Sequence, residues 1–439
     1  LQDDQLVATV LSDEQTLGAG EERTITLAAW PEAVTGDFRI RLGTREHPDS
    51  ALQITHEQPL HLAQAMLPFR NLTLPGAVSR GNGATLFDYD SDGDLDVYLV
   101  RRGGPDRLWS NSAGVFVDVS RTSGLAVGGN GRGVALGDTD ADGDLDVYLV
   151  TEEQNYWFRN DGAGEFTDLS ADLSADDGAG RSAAFFDADG DGDLDLYLTG
   201  LWENRFYLYI NDGTGHFTEE AVRRGAAIEG EDNHFGYSPT FGDFDRDGFL
   251  DIHTTEWRHD EVNPTGAPSN SRLLRNRGAA APGLAGFFED VTVTAGVSMD
   301  NITSTSANSQ PGSFAFTSKF TDMDGDGWLD LAVTSDFGRS RLFWNNGDGT
   351  FTDGTLDAGV GGDENGMGAT IGDANGDGLM DWFITAISGG QRINHTGNRL
   401  FLNTGDRTFR DATDEAGLRD GFWGWAATFI DYDNDADMD

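Results

Sequence analysis

One nine-residue pattern, Asp-x-Asp-x-Asp-Gly-x-x-Asp, recurs along this chain and restricts the folds open to it. It stands at Asp88, Asp90, Asp92 and Asp96, then at Asp138, Asp140, Asp142 and Asp146, and again at Asp187, Asp189, Asp191 and Asp195. A fourth copy is Asp243, Asp245, Asp247 and Asp251, and a fifth is Asp322, Asp324, Asp326 and Asp330. The sixth carries one amide, as Asp373, Asn375, Asp377 and Asp381; the seventh is Asp431, Asp433, Asp435 and Asp439. First aspartates lie 50, 49, 56, 79, 51 and 58 residues apart. That period is close to the length of one four-stranded propeller blade.

Each copy has the same surroundings. A stretch of small residues precedes it, as in Gly83-Ala84-Thr85-Leu86 or Gly368-Ala369-Thr370-Ile371. Such side chains suit an innermost strand, where blades converge. A branched and aromatic strand follows, such as Val97-Tyr98-Leu99-Val100. A third strand of the type Arg341-Leu342-Phe343-Trp344 leads through an Asn- or Gly-rich turn into a fourth, Phe116-Val117-Asp118-Val119 or its equivalent. We letter these strands A to D, with the Asp loop joining A to B. No stretch between D and the next A holds the dozen or so helical residues that a parallel α/β unit needs. Trp109, Trp157, Trp344, Trp382 and Trp425 read as blade packing.

The expected fold is therefore all-β: a seven-bladed β-propeller of four-stranded blades over residues 63–439, with a small N-terminal β segment over 1–62. The segment Leu67–Thr73 resembles a D strand without its own A, B and C, which predicts ring closure in the last blade. Repeat seven supplies strand A and a loop, so that blade is expected to be incomplete and the sequence a fragment. Leu6–Val10, Thr24–Leu27 and Phe38–Leu42 read as short strands of a β module or capping extension. The chain opens on Leu1 with no cationic-then-apolar leader, so any signal peptide is expected to have been removed.

Carboxylates at alternate positions of a tight turn, with a fourth at position nine, can converge on one point. Hard oxygen donors at this density predict Ca²⁺ at up to seven sites, the sixth and seventh weaker because of Asn375 and Ala436. Magnesium demands stricter octahedral order, and zinc recruits His or Cys, of which there are 8 and none. An EF-hand needs Glu at position twelve between helices, whereas position twelve here is Leu99 or Leu149 within a strand. Extracellular modules bind calcium at about 10⁻⁴–10⁻³ M, which cytosolic calcium would leave empty. The expected setting is therefore secreted, cell-surface or periplasmic. With 29 Lys and Arg against 76 Asp and Glu, the formal charge is −47, which argues against nucleic acid or an anionic membrane as partner. No apolar run approaches the length of a membrane span.

The pattern resembles the FG-GAP/VCBS repeats of integrin-α-like propellers, with Phe241-Gly242-Asp243 through Asp251-Ile252 matching closely. Asn365-Gly366-Met367-Gly368, Asp381-Trp382-Phe383, Asn398-Arg399-Leu400 and Trp423-Gly424-Trp425 resemble the cartilage acidic protein 1-like proteins, whose propeller precedes an ASPIC/UnbV module. The resemblance implies secretion, calcium binding and adhesion, and transfers no catalytic residue. Independently of it, the long blade-four connections predict a ligand site opposite the metals, at His234, Tyr237, Trp257 and His259. The expected partner is an extracellular protein or glycan. The alternative is a secreted polysaccharide-active lyase or hydrolase using His234, Tyr237 and His253.

Overall fold

The computed structural model describes residues 36–44, 53–62, 74–75, 81–172, 180–200, 205–229, 234–257, 271–300, 302, 313–387, 396–421 and 424–430. The chain divides into two compact units, Leu1–Ala65 and Met66–Asp439. In the first, strand Gly36–Thr44 pairs antiparallel with Gln53–Leu62 around a register shift at Leu42/Gly43. The predicted strand Phe38–Leu42 falls inside that hairpin; Leu6–Val10 and Thr24–Leu27 lie outside the described residues.

The second unit holds six four-stranded antiparallel sheets, each in the order A-B-C-D. Their A strands are Gly81–Phe87, Gly131–Gly137, Gly180–Phe186, Gly236–Gly242, Ala315–Thr321 and Gly366–Gly372. The core is divided among the spaces between adjacent sheets. Phe186 of blade three stacks on Phe241 of blade four at 3.9 Å, within a cluster that also holds Tyr197, Ile252 and Leu274. Equivalent clusters join blades one to two, two to three, four to five and five to six. Small residues in strand A make this approach possible: a Cβ on Gly137 would lie 2.8 Å from the Phe185 ring, and one on Gly242 would lie 2.9 Å from Phe320. Trp109, Trp157, Trp344 and Trp382 are buried between blades, as the sequence predicts.

The seven-bladed ring with an incomplete last blade is overturned: the described residues form six four-stranded sheets, so the fold is a six-bladed propeller. The physical reason is the difference between a loop and a sheet. An Asp loop needs only the A–B corner, whereas a sheet needs a ladder. Residues 424–430 lie along strand A of blade six but belong to no strand. A Cβ on Gly368 would meet the Trp425 carbonyl at 2.6 Å, and the Phe429 N–H donates to Thr370 Oγ1 at 3.2 Å. The seventh loop, Asp431 to Asp439, lies outside the described residues, as does Leu67–Thr73. Seven metal sites therefore exceed the six blades. At the other end, the Pro75 carbonyl accepts the Trp109 indole N–H at 2.8 Å.

Candidate metal centres

The loop is folded by its own carboxylates. Asp88 accepts the N–H groups of Asp92 and Gly93 at 3.0 and 2.8 Å. Asp138, Asp243 and Asp373 repeat the arrangement. Asp187 and Asp322 hold the N–H groups of positions four and six instead. The position-six glycine sits at positive φ, +94° at Gly93 and +100° at Gly143, where a side chain would be strained. At position five, one oxygen accepts the position-seven N–H in all six described loops.

What remains points inward. Five loops bring three carboxylates together with one oxygen of each within 4.8 Å of the others. These are Asp88, Asp90 and Asp96; Asp138, Asp140 and Asp142; Asp187, Asp189 and Asp195; Asp243, Asp245 and Asp251; Asp322, Asp324 and Asp330. At position three, Oδ1 of Asp90, Asp140, Asp189 and Asp245 is buried without a hydrogen-bond partner. Burial first, and then the neighbouring loop carboxylates, raises the pKa of these four groups. Converging hard oxygens of this kind fit a divalent cation. Loop six is not such a group among the described residues, and its Asn375 amide donates to Asp377 Oδ2 at 3.0 Å. In loop five Arg407 pairs with Asp324 at 2.5 Å and with Asp326 at 3.4 Å.

Position nine couples each loop to the rest of the ring. Asp251 is fully buried; its Oδ2 accepts the Phe244 N–H at 3.1 Å and its Oδ1 the Asn276 N–H at 2.8 Å. Burial pushes its pKa up to about 8, those of Asp195, Asp330 and Asp381 to about 7, and those of Asp96 and Asp146 to about 6. The partner asparagine ends strand C at Asn160, Asn211, Asn276, Asn345 and Asn403, and stands one residue before its end at Asn111. The Asn276 amide donates to Ala188 O in the loop of blade three at 2.8 Å and to Leu250 O at 3.1 Å. Asn160, Asn211, Asn345 and Asn403 reach back one blade in the same way. The sequence shows an Asn- or Gly-rich turn after strand C and names no partner for it. The signal for these residues is an Asn recurring at or beside the end of each C strand.

Of the residues expected to bind a ligand, Tyr237 and Trp257 both pack against Phe316, at 4.5 and 6.4 Å between ring centroids, while His234 turns into the core. His234 is buried, with Nδ1 2.8 Å from Glu256 Oε1. His253 is buried beside Ser318 at 2.9 Å, and burial lowers its pKa to about 3. Neither ring faces solvent, so the group His234, Tyr237 and His253 is not gathered on a surface. Trp257 is half-buried: its indole N–H donates to Asp336 at 3.0 Å and its ring meets Phe314 edge-on at 5.4 Å. Tyr237 packs edge-on against Phe316 at 4.5 Å, under the Arg181 guanidinium. His259 lies outside the described residues.

The model of the FG-GAP-like repeat matches residues 88–149, 138–198, 199–254 and 322–384, together just over half of the chain. No curated protein matches it significantly. Among solved structures, an Agrocybe aegerita lectin that recognises non-reducing terminal N-acetylglucosamine is 18% identical, with a TM-score of 0.46, over 87% of this chain and 90% of the lectin. The extracellular domain assigned to a one-component system of B. thetaiotaomicron is 14% identical, with a TM-score of 0.45, over 83% of this chain and 37% of that one. YCF48 bound to D1 peptide is 11% identical, with a TM-score of 0.44, over 82% and 88% of the two chains.

Proposed function

We propose that this chain, which belongs to the FG-GAP-like repeat family, is a calcium-stabilised binding propeller that works outside the cytosol and performs no catalysis. The observation that carries this reading is the set of buried, unpartnered Oδ1 atoms of Asp90, Asp140, Asp189 and Asp245, each at the centre of converging carboxylates. Like charges a few ångströms apart in a partly dry loop repel by about several kcal/mol per pair. A bound Ca²⁺ would supply the positive charge that lets these carboxylates stay ionised and close together. The residues that would hold it are the five groups of three aspartates, with loop six a weaker candidate. Millimolar affinity, usual for extracellular modules, supports a secreted, cell-surface or periplasmic setting. So does the finer resemblance to cartilage acidic protein 1-like chains. Among the described residues no helix is long and apolar enough to cross a membrane.

With A–B loops holding one face, the B–C and D–A connections form the other, and there we place an extracellular protein or glycan ligand. Tyr237 and Trp257, which share Phe316 as a packing partner, are the aromatic contacts we assign to it. Calcium titration of the metal-free chain tests the first half of the reading. At least about five equivalents bound near 10⁻⁴–10⁻³ M, and little response to magnesium, are expected. Equal binding of the two cations refutes it. A glycan and protein array probed with and without calcium tests the second half, and an array with no calcium-dependent partner refutes that half.

Loop five offers an internal control. Arg407 stands on two of its carboxylates but remains half exposed, so it competes with a cation only weakly. Arg407→Gln should tighten one calcium site by about two- to fivefold, the value of an exposed ion pair. Unchanged affinities at every site would show that Arg407 leaves the loop when the cation binds.

A further inference from the structure

Every A strand carries the same irregularity. The ladder to strand B carries one extra residue just after position one: it passes from position one to position three in blades one, two, three and five, and from Gly236 to Pro239 in blade four. Blade six skips between Gly366 and Ala369. A bulge leaves its extra residue unpaired and re-aims the side chain. The second residue of the strand is in turn Asn82, Arg132, Arg181, Tyr237, Phe316 and Met367. Trp425 occupies the corresponding place in repeat seven. Strand A ends at the Asp loop, so its second residue lies toward the face opposite the carboxylate groups.

Four of them, Arg181, Tyr237, Phe316 and Trp425, meet at the axis. The Arg181 guanidinium carbon is 4.5 Å from the Tyr237 ring centroid and 5.6 Å from that of Trp425. Phe316 lies 4.5 Å from Tyr237 and 5.5 Å from Trp425, both edge-on. Blades three and five can share Trp425 only where all the strands converge. Trp425 is 38% exposed, so it is not the blade packing expected from sequence. Arg102 is exposed nearby, at a cavity of about 420 Å³ lined by Asn82, Arg102, Gly103 and Asn130. Burial first, then the fields of Arg132 and Arg102, lowers the Arg181 pKa, and Glu152 and Tyr237 oppose the shift. Glu152 is already paired with Arg132, and Asp336 with the Trp257 indole. Lys319 is also exposed although it belongs to an innermost strand.

A chain with 29 basic against 76 acidic residues has therefore gathered Arg102, Arg132 and Arg181 at one mouth beside exposed aromatic surface. We propose that this axial mouth binds a carboxylate-bearing sugar ring, a uronate unit, through Arg181 and Arg102 for the carboxylate and through Tyr237 and Trp425 for the ring face. The proposal deepens the binding reading above by naming the ligand class and moving its centre from Trp257 to Arg181. Guanidinium groups match a planar carboxylate with two parallel donors, and the amides of Asn82 and Asn130 suit sugar hydroxyls. The cavity has room for one or two rings. An extended peptide would need a free sheet edge, and the A strands are paired with B and packed against their neighbours.

Isothermal titration of the whole chain in calcium, with tetragalacturonate, galactotetraose and hexaglutamate as probes, decides the matter. The uronate should bind with a Kd of about 1 mM or tighter and the neutral sugar at least about tenfold more weakly. Arg181→Gln should weaken uronate binding at least about tenfold while leaving calcium stoichiometry and Tm unchanged. Equal binding of the neutral sugar, tighter binding of hexaglutamate, or an unaffected Arg181→Gln chain would each overturn the proposal. If that variant fails to fold, exposed Arg102→Gln provides the same test. A calcium-dependent array partner that ignores both substitutions would leave the binding reading standing and remove only this site.

Discussion

Chelation of divalent cations should lower the Tm of this propeller by at least about 10 °C, and calcium should restore it where equimolar magnesium does not. At free calcium 100 times Kd, one site adds about 2.7 kcal/mol to the folded state. Five such loops together add roughly 13 kcal/mol, and in a domain of this size each kcal/mol moves Tm by about 1–2 °C. The effect should be cooperative across blades, because in blades two to six the position-nine aspartate is tied to strand C and, through the asparagine there, to the previous loop. Identical melting curves in EDTA and in millimolar calcium would remove the structural role of the cation.

The metal-free protein should also respond to pH in an unusual direction. Burial holds Asp251 near 8 and Asp195, Asp330 and Asp381 near 7 in the folded state, against an ordinary carboxylate value of about 4. Between those limits the folded chain binds more protons than the unfolded one. Stability in EDTA should therefore rise as pH falls from about 8 toward 5. With calcium present the trend should reverse, since protons compete for the same oxygens. A metal-free Tm that falls steadily over this window would show that these carboxylates are not burdened by burial.

Much of this site could be read before any fold was known, because a repeat converts weak local signals into a strong periodic one. Asp loops, the four strands and their order all follow from residues less than one blade apart. The blade count does not follow, since seven loops imply seven sheets only if every A segment joins a ladder, and residues 424–430 pack without one. Long-range partners were equally invisible. Asn276 bonds to Ala188 across 88 residues, and nothing in Asn276-Arg277-Gly278 distinguishes that role from a turn. His234 reads in sequence as a ligand contact, but Glu256, buried at the end of strand B, draws it inward. Trp425 reads in sequence as one more packing tryptophan, and only its contacts with Arg181 and Phe316, from two different blades, place its ring at the axis.

The asparagine staple leads to the second large effect, and it should be independent of calcium. The side chain of Asn276 makes four hydrogen bonds in a fully buried position: two donated, to Ala188 O and Leu250 O, and two accepted, from the N–H groups of Gly278 and Gly286. Asn276→Ala would leave those four backbone groups without this partner, two of them buried and two part-buried. At about 1–3 kcal/mol for each buried polar group left unpaired, partly offset by relaxation, the expected cost is about 3–5 kcal/mol. Asn111→Ala in blade one is the matched control. That side chain donates to Leu95 O and accepts from the Gly114 N–H, and no bond to a preceding blade is described for it. Its loss should cost about 1–3 kcal/mol. Asp251 keeps its bonds in Asn276→Ala because both come from backbone N–H groups, so the carboxylate cage stays folded and the calcium-induced rise in Tm should survive. Urea unfolding of both variants, in EDTA and in calcium, measures all four quantities. Equal costs at Asn276 and Asn111 would mean that the bond between blades adds nothing, and that apolar packing between the sheets alone holds the ring together.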